Sequence, residues 1–428
     1  MNDLLLDDTS LLTDLYQLTM AACYTQQGIE DRPAAFELFV RKCPENYGYL
    51  IAMGLTQALD YLENLRFSPE QIAALQNTGI FDQAPDRFWE ILAQGGFTGD
   101  VWAVSEGTAI GPHQPLLRIE APLWQAQIVE TYLLTTLNYQ TLVATRAARI
   151  RDVAGPDAQL MEFGTRRAFG PQASLWAARA ALAAGFDSTS NVLAALQLGV
   201  KPAGTMAHAL VMALSTLEGD ESKAFAAFQK TFPNAPLLID TYDTIAAAQS
   251  LQSQAATLSG VRIDSGDLVT LSQQVRRILP GVPIVASGDL DEYRIQELRN
   301  AGACLDHYGI GTQLVTGSPV NGVYKLVELD GHPVMKKSPG KNTYPGRKQI
   351  FRNLETGFDR LGLVTETPED HERPLLQLVM QDGRRLLPAE SLSLIRSRTL
   401  ASVAALPSDC RRLVGTNAPL QVSEVCKL

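Results

Sequence analysis

Residues 155–315 alternate between short apolar runs and amphipathic helical patterns, and this alternation limits the fold more than any other feature. Each apolar run ends in small or polar residues. The six runs read AQLMEFGT, VKPAGTMAH, APLLIDTYD, SGVRIDSGD, VPIVASGDL and LDHYGIGT. Such alternation predicts parallel βα units, and it favours a closed barrel whose active site lies at the carboxyl ends of the strands. Alternatively, each polar cluster forms only a tight turn or a helix cap.

The two chain ends have a different character. Residues 1–150 mix helical and strand patterns with glycine and proline turns, which is typical of an α/β sandwich. Beyond residue 320 the runs VYKLVELDGHPVMKK and LLQLVMQDGRRLL each contain an Asp-Gly turn and predict hairpins. We therefore expect an N-terminal sandwich part (1–150), an irregular α/β barrel that carries the active site (151–320), and a β-rich segment (321–428) that completes the sandwich.

Composition excludes several classes of function. The 428 residues carry a formal net charge of -10, which is unsuited to coating nucleic acid. The five cysteines are scattered and lack CxxC spacing, so we expect a reducing compartment without a zinc site or disulfide framework. The acidic N-terminus does not resemble a signal peptide, and no uncharged apolar run is long enough to span a bilayer. These features predict a soluble, cytoplasmic protein without a membrane or nucleic-acid partner.

The segment EFGTRR follows the first apolar run and combines stacking with positive charge. Phe163 offers a flat ring, and Arg166 and Arg167 offer guanidinium groups that pair with anions. This combination suits an aromatic acid, which must be stacked and neutralised together. We expect Glu162 to orient one arginine and Arg166 to be the ligand. The alternative for Arg167 is a salt bridge with an acidic helix face.

Two later strand ends carry acidic side chains. In RIDSGD, Arg262 suits a phosphate or carboxylate, whereas Asp264 and Asp267 suit ribose hydroxyls or a magnesium ion. In ASGDL, Gly288 permits close backbone approach, and Asp289 is a further hydroxyl acceptor.

The last strand ends in GIGTQ, which is similar to a barrel phosphate cradle. Two glycines expose backbone N–H groups, and Thr312 adds a hydroxyl next to a predicted helix N-terminus. The segment 336–352 is rich in lysine and arginine and is either a solvated loop or a lip that covers a polyphosphate.

His208 follows another predicted strand end, in GTMAH, with Thr205 nearby. An imidazole acts as an acid or base near neutral pH, or as a nucleophile toward a phosphoryl group. The structural alternative is a packed or surface histidine without a chemical role.

Several long motifs appear in one order along the chain and together resemble nicotinate phosphoribosyltransferases from residue 10 to past residue 350. They are LLTDLYQLTM, GYLIAMGL, EFGTRRA, GTMAHA, RIDSGDL, GIGTQLVTGS and GVYKLVEL. The resemblance implies a homodimer with an irregular α/β barrel flanked by a domain from both chain ends. It also implies condensation of nicotinate with phosphoribosyl pyrophosphate, coupled to ATP hydrolysis through a phosphohistidine and assisted by Mg²⁺.

The resemblance also assigns roles to single residues. His208 matches the phosphorylated histidine, and Phe163 and the partner subunit's Tyr16 match the rings on the two faces of the pyridine. Near the substrate it places Arg166, Thr205 and Arg262. The ribosyl group is assigned to Asp264, Gly288 and Asp289, and its 5′-phosphate to Gly311 and Thr312. Arg41 and Lys42 match phosphate contacts from the partner subunit.

The choice between nicotinate and nicotinamide depends on one position in STSNV. The related amide-using enzymes carry an aspartate where this chain has Ser190, by approximate alignment. Because an aspartate accepts from an amide and repels a carboxylate, Ser190 favours the acid. A nicotinamide phosphoribosyltransferase, another phosphate-binding barrel enzyme and a catalytically silent metabolite-binding regulator are the alternatives.

Overall fold

The structure, a computed structural model, describes residues 8–337 and 343–427. The beginning of the acidic N-terminus and residues 338–342 of the basic segment lie outside the described residues. The chain divides into two compact units: Met1–Leu142 with Pro319–Leu428, and Val143–Ser318.

From residue 8 onward, the described part of the first segment forms six helices and five strands. The helices are α1 (Leu15–Gln27), α2 (Leu55–Asn64), α3 (Pro69–Asn77), α4 (Asp86–Gln94), α5 (Leu123–Ile128) and α6 (Glu130–Ala154). The strands are β1 (Pro33–Val40), β2 (Leu50–Ile51), β3 (Asp100–Val104), β4 (Ala109–Ile110) and β5 (Pro115–Pro122). Helix α1 ends at Gly28, whose φ of 66° is a left-handed conformation that costs glycine little.

The central segment alternates strands and helices. Its strands are β6 (Gln159–Glu162), β7 (Ser188–Thr189), β8 (Leu237–Leu238), β9 (Val261–Ile263), β10 (Ile284–Ala286) and β11 (His307–Ile310). Its helices are α7 (Pro171–Ala183), α8 (Val192–Gln197), α9 (His208–Glu218), α10 (Glu221–Thr231), α11 (Thr244–Ser250), α12 (Leu268–Ile278), α13 (Glu292–Asn300) and α14 (Thr312–Val315), with a 3₁₀ helix at Gln252–Thr257.

The six strands of this segment form one parallel sheet in the order β7-β6-β11-β10-β9-β8. The prediction of parallel βα units is confirmed, but no closed barrel is present in the described part of the chain. Residues 200–207, predicted as a strand, have no regular secondary structure. Pro202 lacks an N–H and Gly204 weakens strand pairing, so this segment forms no ladder. Isolated hydrogen bonds connect this segment to its neighbours. The Ala203 N–H donates to the Thr189 carbonyl (2.9 Å), and the Thr205 hydroxyl donates to the Pro236 carbonyl (2.6 Å).

The last segment adds strands β12 (Gly322–Leu329), β13 (His332–Pro333), β14 (Lys348–Asn353), β15 (Asp359–Leu363), β16 (Glu372–Pro374), β17 (Leu376–Gln381), β18 (Arg384–Arg385) and β19 (Leu420–Val422). Helices α15 (Leu392–Ala404) and α16 (Ser408–Arg411) and a 3₁₀ helix at Glu424–Lys427 follow in the same region. Both predicted Asp-Gly hairpins are confirmed, as β12–β13 and β17–β18. Asp330 and Asp382 each have a positive φ at the turn, which their short polar side chains tolerate.

A seven-stranded sheet contains strands from both chain ends, in the order β13-β12-β1-β5-β3-β17-β18. Seven of the eight β1 residues are buried in it. A four-stranded sheet, β16-β14-β15-β19, and the β2-β4 pair complete the strand pairing of the described chain. Among the described helices, none is long and apolar enough for a membrane span.

Candidate active site

A cavity of about 720 Å³ lies in the central unit, where the strands of the parallel sheet end. It collects most of the predicted site residues, although they come from distant parts of the sequence. Its lining residues are Phe163, Arg166, Arg167, Ser190, Gly204, Thr205, Met206, Ala207, Arg262, Asp264, Ser287, Gly288, Asp289, Gly309, Gly311 and Thr312. The carboxyl edge of a parallel sheet is the expected place for a ligand site.

The Phe163 ring is fixed against the neighbouring strand. The Phe163 N–H donates to the Ile310 carbonyl (2.8 Å), which holds the backbone beside β11. A Cβ atom built at Gly309 would lie 2.5 Å from the ring's Cε2 atom. Since real Cβ atoms do not approach that closely, the ring position requires glycine at 309.

Glu162 is buried at the end of β6, and it does not orient an arginine as expected. Its Oε1 accepts from the Gly164 N–H, and its Oε2 accepts from the Thr189 hydroxyl at 2.5 Å. Burial raises the pKa of the Glu162 carboxyl, and these two hydrogen bonds oppose the rise. Glu162 does not orient an arginine because both of its carboxyl oxygens are occupied, by the Gly164 N–H and the Thr189 hydroxyl.

Arg166 and Arg167 are both exposed at the cavity. Neither guanidinium forms an ion pair with another residue of the described chain, so the salt bridge considered for Arg167 is not formed there. Both positive charges are therefore available to an anion in the cavity.

Arg262 is the more buried cation of the site. Its Nη1 donates to the Met206 carbonyl (3.1 Å) and its Nη2 to Asp264 Oδ1 (3.4 Å). Its Nε is buried without a hydrogen-bond partner in the described structure. Burial lowers the pKa of Arg262, the charge of Arg166 lowers it slightly further, and Asp264 and Asp240 raise it. The guanidinium still remains charged at neutral pH.

Asp264 and Gly288 join two adjacent strand ends. Asp264 Oδ1 accepts from the Ser287 hydroxyl. Gly288 has a φ of 109°, and a Cβ atom there would lie 2.8 Å from the Asp264 carbonyl oxygen. Glycine thus allows the two strand ends to meet, while Asp289 stays exposed at the cavity.

Asp267, in contrast, does not join Asp264 in the cavity. It caps α12 by accepting from the Val269 N–H (3.1 Å), and it accepts from the Thr270 hydroxyl (2.5 Å). The hydrogen bond from Thr270 is the main reason that the pKa of Asp267 is lowered. Here the helix-cap alternative explains the residue.

His208 begins α9, next to the cavity-lining Ala207. Its Nδ1 lies 3.1 Å from the Thr241 hydroxyl, and its Nε2 lies 3.9 Å from Asp240 Oδ1. Asp240 has a buried side chain, whose Oδ2 accepts from the Asp264 N–H (2.8 Å) and the Ser265 hydroxyl (2.7 Å). Sequence reasoning missed Asp240, although its position directly after a strand-like run was a usable signal.

The last strand leads into a tight turn. Gly311 precedes the short helix α14, and a Cβ atom at Gly311 would lie 3.0 Å from the Phe163 carbonyl oxygen. Thr312 begins that helix and lines the cavity. This turn therefore brings backbone and hydroxyl donors to the side of the cavity next to Phe163.

Tyr16, Arg41 and Lys42 belong to the other unit and do not line this cavity. Tyr16 is 48% exposed on α1, and partial burial together with a hydrogen bond to Glu130 raises its pKa to about 12. Arg41 and Lys42 line a separate cavity of about 610 Å³ with His113 and Tyr344. The Nε of Arg41 and the Nδ1 of His113 are buried there without hydrogen-bond partners within the described structure.

The site offers few carboxylates for a metal ion. Within residues 8–337 and 343–427, no group of three or more histidine, cysteine, aspartate or glutamate side chains is arranged to hold a metal ion. Asp264 and Asp289 are the carboxylates that line the cavity. Mg²⁺ often takes one or two carboxylates together with substrate phosphates and water, and this donor set fits that mode.

The fold and the site together define an α/β enzyme that binds small anionic substrates at the carboxyl edge of a parallel sheet. Residues 11–138 match the model of the nicotinate phosphoribosyltransferase (NAPRTase) N-terminal domain, and residues 158–361 match that of the nicotinate phosphoribosyltransferase (NAPRTase) family. The chain belongs to the nicotinate phosphoribosyltransferase family.

Individual relatives agree over most of the chain. Nicotinate phosphoribosyltransferase pncB2 of Mycobacterium tuberculosis is 40% identical, over 97% of this chain and 92% of its own. The nicotinate phosphoribosyltransferase of Bacillus subtilis is 40% identical, over 86% of this chain and 79% of its own. The crystal structure of human nicotinic acid phosphoribosyltransferase aligns with a TM-score of 0.84 at 30% identity, covering 97% of this chain and 98% of the human chain.

Proposed function

We propose that the chain condenses nicotinate with phosphoribosyl pyrophosphate to give nicotinate mononucleotide and pyrophosphate. The observation that carries this proposal is the meeting of Phe163 and Arg166 with Asp264 and Gly311 in one cavity. A ring and a free guanidinium suit an aromatic carboxylate, and the carboxylates and glycine turn suit a phosphorylated ribose. Membership of the family supports the same reaction.

In the proposed reaction the pyridine nitrogen attacks the anomeric carbon of the ribose as the bond to pyrophosphate breaks. The nitrogen lone pair is already available, so no general base is needed. Positive charge develops on the ribose, and Asp264 and Asp289 stabilise that charge. Arg166 and Arg262 hold the nicotinate carboxylate and ribose region, and Thr205 contacts the nicotinate.

The phosphate end of the sugar is assigned to Gly311 and Thr312. Their backbone N–H and hydroxyl groups would donate to the 5′-phosphate, while Gly288 allows the ribose to approach the backbone. A bound Mg²⁺ ion would neutralise negative charge on the departing pyrophosphate. Asp264 and Asp289 are the residues that would share such an ion with the substrate phosphates.

His208 is proposed to couple the reaction to ATP. The hydrogen bond between Nδ1 and the Thr241 hydroxyl leaves Nε2 as the nucleophile. Nε2 would attack the γ-phosphorus of ATP and release ADP, and water would later hydrolyse the phosphohistidine to inorganic phosphate. The phosphorylated imidazole would favour ordered, productive substrate binding.

Acid selectivity is assigned to Ser190, which lines the cavity. Its neutral hydroxyl can donate to the nicotinate carboxylate, whereas an aspartate at this position would repel it. A nicotinamide-using enzyme is the second candidate, and the product assay below distinguishes the two.

A homodimer is proposed because Tyr16 matches the ring that the partner subunit supplies to the pyridine in this family, and its side chain is exposed on α1. Arg41 and Lys42 would contact substrate phosphates from the same partner. We also propose that residues 203–206 close an irregular barrel, since hydrogen bonds connect that segment to Thr189 and Pro236. The strands from both chain ends would form a separate sandwich domain. The free cysteines support a cytoplasmic location.

The test is product analysis with purified protein, phosphoribosyl pyrophosphate, Mg²⁺ and ATP, comparing equal concentrations of nicotinate and nicotinamide. A mononucleotide from nicotinate with release of ADP is expected. Product from nicotinamide instead would reverse the assignment at Ser190. If neither nicotinate nor nicotinamide gave a product, the proposed reaction would be wrong. Another phosphate-binding enzyme would then be the candidate.

A further inference from the structure

Glu162 connects two walls of the cavity that the backbone joins only briefly. Strands β6 and β7 pair at two positions, Met161 with Ser188 and Glu162 with Thr189. One further backbone bond follows, from Ser190 N to Glu162 O at 2.9 Å. Beyond this short ladder the two segments separate. One continues to Phe163 and Arg166, and the other continues to Ser190 and α8.

The Glu162 side chain continues the connection beyond the ladder. One carboxylate oxygen accepts a hydrogen bond from the Gly164 N–H, in the turn between Phe163 and Arg166. The other accepts from the hydroxyl of Thr189, the residue directly before Ser190. Glu162 is 1% exposed, so water does not compete effectively for these hydrogen bonds.

The surroundings determine which way the Thr189 hydroxyl donates, and close packing holds the Gly164 turn in place. The Thr189 hydroxyl oxygen accepts from the Asn191 N–H (3.0 Å), so its proton is directed to Glu162. Asn191 is held by Ser174 (3.2 Å) and caps α8 through the Ala194 N–H (3.1 Å). On the other side, a Cβ atom at Gly164 would lie 2.3 Å from Val315 Cγ1. The turn is thus packed closely against α14.

We propose that Glu162 is a positioning residue that sets the separation between the wall of Phe163 and Arg166 and the wall of Ser190, and thereby the affinity for a flat aromatic carboxylate. This inference rests on the proposed function. Glu162 does not touch the substrate. It acts through the stacking ring and the two groups that face the substrate carboxylate.

The test compares Glu162→Gln with the wild-type protein in steady-state kinetics. Glutamine keeps one carbonyl oxygen but places an amide N–H₂ group where an acceptor is needed. We expect the KM for nicotinate to rise about tenfold, since a hydrogen bond to a buried charged group is lost. The KM for phosphoribosyl pyrophosphate should change less than about twofold, because none of its assigned contacts is a hydrogen-bond partner of the Glu162 carboxylate.

Thr189 provides an independent pair of variants if Glu162→Gln folds poorly. Thr189→Val removes the hydroxyl at nearly constant shape and should raise the KM for nicotinate in the same way. Thr189→Ser retains the hydroxyl and should restore the wild-type value. When Thr189→Val is combined with Glu162→Gln, the KM for nicotinate should rise little further. Both changes break the same hydrogen bond, between the Thr189 hydroxyl and Glu162 Oε2.

Glu292 is the matched control for the loss of a buried carboxylate. It is 3% exposed, pairs with Arg149 Nε at 3.0 Å and does not line the cavity. Glu292→Gln should lower the Tm without a selective rise in the KM for nicotinate. An unchanged KM for nicotinate in Glu162→Gln, or equal rises in both KM values, would overturn the inference. A wild-type protein that makes no nicotinate mononucleotide would instead overturn the proposed function.

Discussion

The ring of Phe163 lies against the backbone of Gly309, so closely that a Cβ atom at 309 would be 2.5 Å from ring atom Cε2. The stacking surface of the cavity is therefore positioned by a residue that has no side chain. In this way one strand of the sheet fixes a side chain carried by its neighbour.

The variant Gly309→Ala should push the Phe163 ring away from its position. We expect kcat/KM for nicotinate to fall about tenfold, since overpacking of this kind costs about 1–3 kcal/mol. Steady-state kinetics measures the change. Gly111→Ala is the control, because a Cβ atom there meets only ordinary contacts at 3.9 Å and lies outside the cavity. Equal losses in the two variants would contradict the role of Gly309.

His208→Ala should abolish the stimulation by ATP but leave slow, ATP-independent formation of nicotinate mononucleotide. The reason is that the phosphoryl acceptor is lost while the contacts to nicotinate and ribose remain. Product formation and ADP release are followed with and without ATP. His332→Ala is the control, since His332 is exposed on β13 and should leave the stimulation unchanged. Full ATP stimulation in His208→Ala would refute phosphorylation at this residue.

Ser190→Asp should weaken the use of nicotinate. A carboxylate at the cavity wall repels the substrate carboxylate, and we expect the KM for nicotinate to rise about tenfold or more. Competition between nicotinate and nicotinamide measures the selectivity. Ser190→Ala, which removes the hydroxyl without adding charge, should have a smaller effect. If Ser190→Asp kept the selectivity for the acid, Ser190 would not determine it.

His113 should make the protein sensitive to acid. Burial, and to a smaller extent the charge of Arg41, lowers the pKa of His113 below its usual value of about 6.5. The unfolded chain therefore binds the proton more readily, so this contribution to stability is present above pH 6.5 and is lost as the pH falls through the folded-state pKa. The Tm of the wild type should fall more steeply on acidification than that of His113→Asn.

Asparagine is a suitable replacement because His113 has a φ of 65°, a conformation that asparagine tolerates. Between pH 7.5 and pH 5.5 the Tm of the wild type should fall by more than that of His113→Asn. His371 is the matched control: its φ is also 65°, but it is exposed, with Nδ1 3.3 Å from Glu355. His371→Asn should have the acid sensitivity of the wild type. Parallel Tm curves for wild type and His113→Asn would contradict the assignment.

The sequence predicted those parts of the site that local patterns encode. Phe163, Asp264 and Gly311 follow apolar runs, and parallel strands place such residues at one edge. Asp240 was missed because its partners, the backbone of Asp264 and the Ser265 hydroxyl, belong to a different strand end. The partners of Glu162 were assigned wrongly for the same reason: Thr189 lies in a strand only two residues long, too short for a recognisable period.

Closure of the barrel is the part of the fold that the strand pairing does not confirm. The run VKPAGTMAH has the composition of a strand, but Pro202 and Gly204 interrupt it, and only single hydrogen bonds connect it to the sheet edges. The Asp-Gly hairpins were predicted correctly because their turns are determined by two adjacent residues. Features that depend on adjacent residues, such as these turns, were therefore predicted better from the sequence than the number of strands in the central sheet.

The pairing of β1 with both β5 and β12 has a consequence for the order of folding during synthesis. The pairing with β5 becomes available once the ribosome has passed residue 122, but the other edge of β1 must wait for residues 322–329. Strand β3 likewise waits for β17, at residues 376–381. The central segment, with its own parallel sheet, is synthesised during that interval. Two buried strand edges are thus open to wrong partners until residues 322–329 and 376–381 have been synthesised, and chaperone demand should be greatest during that interval.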